Sequence, residues 1–267
     1  MRKIIPILVF SLGLLLILAF VRNSHETPIE LISPILGKEK VMGVNLWFPF
    51  LQGVEENAPK ITAAGAIFIS SKDGQILYSK NVHQKLPIAS LVKVMTALIA
   101  LEHKSLDDQY LVSERAAQME PDKMLLIAGE KLTLKELLYG IFLISANDGA
   151  EVLAEGTTGS EQSSSANRDE FINLMNSKAG QLGMKNTYFA NPTGLDEDNN
   201  NSYSTAYDLA ILTRYLIRNY PEVVEISQTP HIYFPITQTH QDYDMYSGIN
   251  LLTTYPGVTG LKTGYTP

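Results

Sequence analysis

The hydrophobic pattern divides the chain into four stretches. An unbroken apolar run extends from Ile4 to Val21 and is followed by Arg22-Asn23. From residue 23 to about residue 60 no period is sustained, and Pro28, Pro34, Pro49 and Pro59 interrupt the pattern. This stretch reads as a connector whose cluster Leu46-Trp47-Phe48-Pro49-Phe50-Leu51 is too apolar to stay free and is expected to pack on a domain. From Ala63 two apolar segments, Ala66-Ile67-Phe68-Ile69-Ser70 and Gln75-Ile76-Leu77-Tyr78-Ser79, flank Asp73-Gly74. That is a hairpin pattern, with Asp-Gly expected to supply the positive φ angles of the turn. Leu91 to Leu101 is then nearly all apolar, which predicts a helix buried on most sides, with Ser90 at its N-terminus. Residues 105 to about 225 read as helices in pieces, clearest at Leu132–Tyr139 and Tyr207–Leu212. Polar loops are expected at Gly156–Asn167 and around Asn199-Asn200-Asn201. After Pro230 the chain reads as extended, at Ile232-Tyr233-Phe234 and from Gly257 towards Lys262.

Composition then narrows the classes. In 267 residues with a 45% hydrophobic fraction there is material for a sizeable core. A net charge of −7 and no basic run exclude a nucleic-acid surface. The absence of cysteine removes disulfides, thiolate zinc sites and thiol catalysis. As a helix, Ile4 to Val21 would span about 27 Å, the thickness of a bilayer's hydrocarbon core. Large residues at Leu18-Ala19-Phe20-Val21 stand where a signal peptidase needs small ones, so an uncleaved anchor is expected. Arg2 and Lys3 keep the N-terminus cytoplasmic, which places the remainder of the chain outside the cell membrane.

Three short motifs carry candidate chemistry: Ser90-Leu91-Val92-Lys93, Ser145-Ala146-Asn147 and Lys262-Thr263-Gly264. The first two are cheap, since about one of each arises by chance in a chain of this length, but Lys-Thr-Gly is expected only about 0.06 times. On a helix, residues three apart share a face, so the Lys93 amine can reach the Ser90 hydroxyl. A lysine becomes a base only when its pKa falls, and both burial in this apolar helix and a second cation, Lys262, would lower it. Ser145 can relay a proton, and the Asn147 amide can bind a substrate peptide bond. Lys262 and Thr263 can hold a carboxylate, while Gly264 leaves room for backbone approach. A second copy, Ser165-Ala166-Asn167, is set aside because its polar loop offers nothing to hold it rigid. Lys262-Thr263-Gly264 is expected to form an edge strand beside the pocket.

These motifs, with the stretches IASLVKVMTA, GEKLTLKELLYGIFLISANDGAEVLAE, LGMKNTYFANPTGLDEDNNNSYSTAYDLA and GVTGLKTGYT, resemble the low-molecular-mass penicillin-binding proteins. These are serine-type D-alanyl-D-alanine carboxypeptidases of the S11 kind. The resemblance implies an α/β fold, an antiparallel sheet covered by helices with a helical subdomain carrying Ser145. It implies an acyl-enzyme on Ser90, Lys93 as base and proton relay through Ser145. Substrate would be bound by Asn147, Lys262 and Thr263, with an oxyanion hole from the amides of Ser90 and Tyr265. It implies no cofactor, a peptidoglycan peptide ending in D-Ala-D-Ala as substrate, and β-lactams as covalent inhibitors. Two departures stand out: Thr193 replaces the family's usual His, and the chain ends three residues after Gly264, where relatives continue. The expected organisation is a membrane anchor or signal segment at 1–22, a connector at 23–60 and a catalytic domain at 61–267 with its later strands missing. The sheet is then expected to be incomplete and the segment from Gly257 onward mobile or misplaced.

Rival readings remain. Class A β-lactamases usually carry Ser-Asp-Asn and a Glu-x-x-x-Asn loop, whereas here the middle residue is Ala146 and Glu197-x-x-x-Asn201 falls in an Asn-rich turn. A D,D-endopeptidase would use the same groups. A zinc peptidase needs a ligand spacing that His25, His83, His103, His231 and His240 do not form, His240-Gln241-Asp242 being read as a solvated loop. A membrane-anchored β-lactam sensor or wall-binding protein would keep the pocket without turnover.

Overall fold

A helix that is apolar on every side is stable only at the centre of a domain, and helix α1 (Lys93–His103) is buried from Lys93 to Leu101. A 3-10 turn at Ala89–Val92 leads into it. The structure, a computed structural model, describes residues 40–41, 44–45, 48–51, 58–158, 165–196 and 201–265, all within one compact unit. The apolar run 4–21, Leu46-Trp47 and Glu197 lie outside the described residues. Among the described residues no helix is long and apolar enough to cross a membrane.

Short strands β1 (Lys40–Val41) and β2 (Val44–Asn45) pair antiparallel. Strand β3 (Phe50–Leu51) runs parallel to β5 (Gln75–Lys80), which pairs antiparallel with β4 (Ala66–Ile69) in a three-stranded sheet of order β3-β5-β4. The expected hairpin is therefore present, but its turn works differently: Gly74 alone takes positive φ, at 92°, while the Asp73 side chain accepts the Gln75 amide at 3.1 Å. The apolar cluster before it packs on the domain as expected where it is described. Phe48 lies against the core, and the Tyr207 hydroxyl donates to the Pro49 carbonyl.

The next elements are β6 (Leu86–Pro87), β7 (Gln109–Leu111), α2 (Glu114–Ala117), β8 (Lys131–Thr133), α3 (Leu134–Leu143), α4 (Asn147–Gly156) and α5 (Ser165–Gln181). They are followed by β9 (Tyr203–Ser204), α6 (Ala206–Asn219), α7 (Glu222–Ser227), β10 (His231–Phe234), β11 (Tyr243–Tyr246) and α8 (Leu251–Thr254). Strand β6 pairs with β9, β7 with β8, and β10 with β11, each antiparallel. Helices α3, α4, α5 and α6 all touch α1 and enclose it. Local sequence sets where these helices start. Thr133 and Glu136 form a reciprocal capping box on α3, and the Thr205 side chain accepts the Asp208 amide on α6.

Helix α4 is pinned by charge. Glu151, fully buried, accepts Arg168 Nε at 2.6 Å and lies 3.1 Å from Arg115 Nε. Burial pushes its carboxyl up and the two guanidiniums oppose that, so losing both pairs would strand a buried charge.

Three expectations are corrected. Ser165-Ala166-Asn167 opens helix α5 instead of lying in a loop, and Asn167 Nδ2 donates to the Glu155 carbonyl. His240 is buried, with Nδ1 on the Gln241 carbonyl and Nε2 3.3 Å from Glu136, because its loop folds back over the start of α3. Residues 257–265 form no strand, since no described strand pairs with Lys262-Thr263-Gly264.

Candidate active site

The chain reaches Ser90 through a strained turn. Ala89 takes φ 44°, and Gly194, at φ 83°, lies so close behind it that a Cβ there would meet the Ala89 carbonyl oxygen at 1.9 Å. Only glycine fits that position. One helical turn on, Lys93 is completely buried. Its Nζ donates to Ser90 Oγ at 2.9 Å, to Asn147 Oδ1 at 2.7 Å and to the Thr193 carbonyl at 2.7 Å. Burial first and then the charge of Lys262 lower the Lys93 pKa, which settles at about 7 against the opposing charges of Asp122 and Asp148.

The identities of those three oxygens decide which way a neutral amine points. The Thr193 carbonyl can only accept, and Asn147 is oriented with its oxygen to Lys93 because its Nδ2 donates to the Pro121 carbonyl. A neutral amine has two N–H groups, and these two acceptors take both. The lone pair is left facing Ser90 Oγ, whose hydroxyl then donates to it. The cage is thus built to hold a proton acceptor against a serine.

Asn147 and Ser145 owe their places to the break between α3 and α4. The amides of Ile144 and Ala146 both donate to the Gly140 carbonyl, at 3.2 and 3.1 Å, around a left-handed Ser145 at φ 64°. A serine in that conformation is locally unfavourable, and such strain collects where a side chain must be aimed. Ser145 Oγ accepts Lys262 Nζ at 3.0 Å. Next in sequence, Asp148 is buried and accepts the amides of Met124 and Leu126. Burial raises its pKa while those amides hold it down. This clamps the loop that brings Pro121 and Asp122 to the site.

Lys262 also donates to the Thr263 carbonyl at 2.7 Å, and burial, partly offset by the charge of Asp122, lowers its pKa to about 8. The segment expected to be mobile or misplaced therefore carries its lysine onto Ser145. It is tied down by Ser227 Oγ, which donates to the Thr259 carbonyl at 2.8 Å, and by Leu261 against the core.

All eight residues singled out in the sequence meet at one place. A cleft of about 410 Å³ is lined by Ser90, Ser145, Asn147, Thr263, Gly264 and Tyr265, with Lys93 and Lys262 bonded to its two serines. Among the described residues no group of three His, Cys, Asp or Glu side chains could hold a metal ion. Sequence reasoning missed two members, the Thr193 carbonyl and Asp122. A backbone oxygen leaves no mark in sequence, although its place in Asn191-Pro192-Thr193-Gly194 was accessible from the positive φ that Gly194 supplies. The Thr193 side chain turns away, its Oγ1 donating to Asn191 Oδ1 and accepting the Leu195 amide. The replacement of the family's usual His thus leaves the carbonyl contact in place.

Comparison with known proteins supplies the family. The family described as Peptidase_S11, D-alanyl-D-alanine carboxypeptidase, matches residues 52–267. The chain is 38% identical over 209 residues to D-alanyl-D-alanine carboxypeptidase DacF of Bacillus subtilis, covering 76% of this chain and 51% of that protein. It is 33% identical to D-alanyl-D-alanine carboxypeptidase DacB2 of Mycobacterium tuberculosis, covering 72% of this chain and 62% of that one. Among solved structures it resembles the Streptomyces K15 DD-transpeptidase with a TM-score of 0.72 and 29% identity, over 79% of this chain and 83% of that one. The chain thus spans about half to three fifths of the length of the first two relatives.

Proposed function

Because the chain belongs to the S11 peptidases, the D-alanyl-D-alanine carboxypeptidase family, we propose that it is a serine D,D-carboxypeptidase acting through Ser90. The substrate is a peptidoglycan stem peptide, and β-lactams are its covalent inhibitors. The observation that carries the reading is the buried Lys93 amine 2.9 Å from Ser90 Oγ, with its other neighbours both obligate acceptors.

In the proposed cycle Ser90 Oγ attacks the carbonyl carbon of the penultimate D-Ala as its proton moves to neutral Lys93. Backbone amides at Ser90 and Tyr265 receive the developing oxyanion. The C–N bond breaks, and the proton passes through Ser145 to the leaving amine, releasing D-Ala. Lys262 and Thr263 hold the substrate's terminal carboxylate, and Asn147 orients the peptide as well as the lysine. Water attacking the ester returns Ser90. The K15 relative's name supports a second outcome at the last step, in which an amine takes the acyl group in place of water; the acyl-enzyme is common to both. A D,D-endopeptidase would share the same groups.

The apolar run 4–21, with Arg2 and Lys3 before it, supports an uncleaved anchor and a catalytic unit outside the cytoplasmic membrane. N-terminal sequencing that finds mature protein starting near residue 24 would rule out the anchor. The catalytic proposal is tested by incubating wild type and Ser90→Ala with a fluorescent penicillin. A stable adduct is expected in the wild type alone, and an adduct in Ser90→Ala contradicts the assignment.

A further inference from the structure

Two carboxylates of the cleft, Asp122 and Asp196, have no part in the cycle just described. Asp122 lines the same cleft as Ser90 and Ser145, is exposed, and among the described residues its carboxylate makes no hydrogen bond or ion pair. Its position is nevertheless built. The Asp122 carbonyl accepts the Asn147 amide at 2.7 Å, and its φ is 48°. The loop beyond it is held at Met124 and Leu126 by Asp148, at Ile127 by Glu130, and at the Leu125 carbonyl by Gln241. Its charge is felt by both Lys93 and Lys262, whose ammonium forms it favours.

That placement has a cost for the reaction. A bare terminal carboxylate bound at Lys262 is repelled by Asp122. With Lys93 neutral, as the base must be, the cleft presents one cation, Lys262, beside two carboxylates, Asp196 and Asp122, the latter without an ion pair among the described residues. This charge pattern matches a peptide that carries an ammonium group as well as its carboxylate.

We propose that Asp122 is a subsite for an ammonium-bearing side chain of the peptide substrate, selecting stems with a free side-chain amine. The inference rests on the acyl-transfer reading of the cleft. A purely structural reason for aspartate here is its tolerance of left-handed φ, which asparagine shares, so Asp122→Asn removes the charge and keeps the turn.

The test compares Nα-acetyl-L-lysyl-D-alanyl-D-alanine with its Nα,Nε-diacetyl counterpart, reading D-alanine release as the ratio of kcat/KM within each protein. Wild type is expected to favour the free amine by about fivefold at low ionic strength, as for an exposed ion pair, with the preference shrinking in salt. In Asp122→Asn the ratio should fall to about one, and in Asp122→Lys it should invert. Equal rates for the two peptides in wild type, or an unchanged ratio in Asp122→Asn, overturn the subsite. Benzylpenicillin acylation of the wild type separates the two levels. Where it occurs, a failed ratio condemns the subsite alone; where it is absent along with D-alanine release, the acyl-transfer reading falls and takes the subsite with it.

Discussion

Lys93 and Lys262 face one cleft, but the regions that hold them differ. Lys93 sits on the central helix, with no exposed surface and three protein oxygens around its amine. Lys262 lies on a half-exposed stretch without regular secondary structure, tied by its bond to Ser145, by Leu261 and by the Ser227–Thr259 hydrogen bond. The difference follows the two tasks proposed for them, base for Lys93 and carboxylate clamp for Lys262. A base must be desolvated and aimed, which needs a rigid core. A carboxylate clamp keeps its charge and needs access to solvent and substrate, and a few anchoring contacts suffice for it. Damage on the Lys93 side should therefore stop the chemistry, and damage on the Lys262 side should loosen binding.

The largest effect is expected from Lys93→Arg. Arginine stays charged and cannot take the Ser90 proton, so penicillin acylation should fall on the order of 10³- to 10⁴-fold. Stopped-flow or gel-based acylation kinetics measure this, and a loss under tenfold would remove Lys93 as the base.

Gly194→Ala comes next, striking the same rigid side without touching a reacting group. The added Cβ would lie 1.9 Å from the Ala89 carbonyl oxygen, at a φ of 83°. The Ser90 turn must shift, at a cost of about 1–3 kcal/mol in stability. Acylation should slow on the order of a hundredfold, as for a 1 Å misplacement. Thermal melting and acylation measured together check it, and a variant with unchanged acylation would show that the turn is not held by this contact.

Ser227→Ala is the smallest of the three. It removes the donor to Thr259, a bond 2.8 Å long, worth about 1 kcal/mol. A roughly fivefold loss in kcat/KM is expected, carried by KM because it is the clamp that loosens. A loss as large as that of Gly194→Ala would erase the contrast between the two regions.

How much was legible beforehand follows the same division. Helix α1 announced itself because a nearly all-apolar stretch with no Gly or Pro admits few other structures. The hairpin, the α3 cap and the break at Ser145 had local signals, and the motifs named the side chains that the cleft brings together. What stayed hidden depends on distant partners. The Thr193 carbonyl is a backbone atom delivered by a loop a hundred residues away from Lys93. His240 was read as solvated because nothing local tells that its loop folds over α3. The strand expected at Lys262-Thr263-Gly264 needed a neighbour, and strand formation is decided by pairing. Asp122 drew no notice because a single carboxylate after a proline is an ordinary turn residue in any sequence.

The central claim, that a neutral Lys93 aimed at Ser90 is the base, is tested most directly by the pH dependence of second-order acylation by benzylpenicillin. Lys93 works deprotonated, so the rate should rise with pH and level off above its pKa of about 7. Lys262 works protonated, so the rate should decline again above about 8. The account predicts a narrow bell between those values, with the acid limb falling roughly tenfold per pH unit and absent from the residual activity of Lys93→Arg. A profile flat from about pH 5 to about pH 9, or an acid limb in the ordinary carboxylate range near pH ~4, would contradict it.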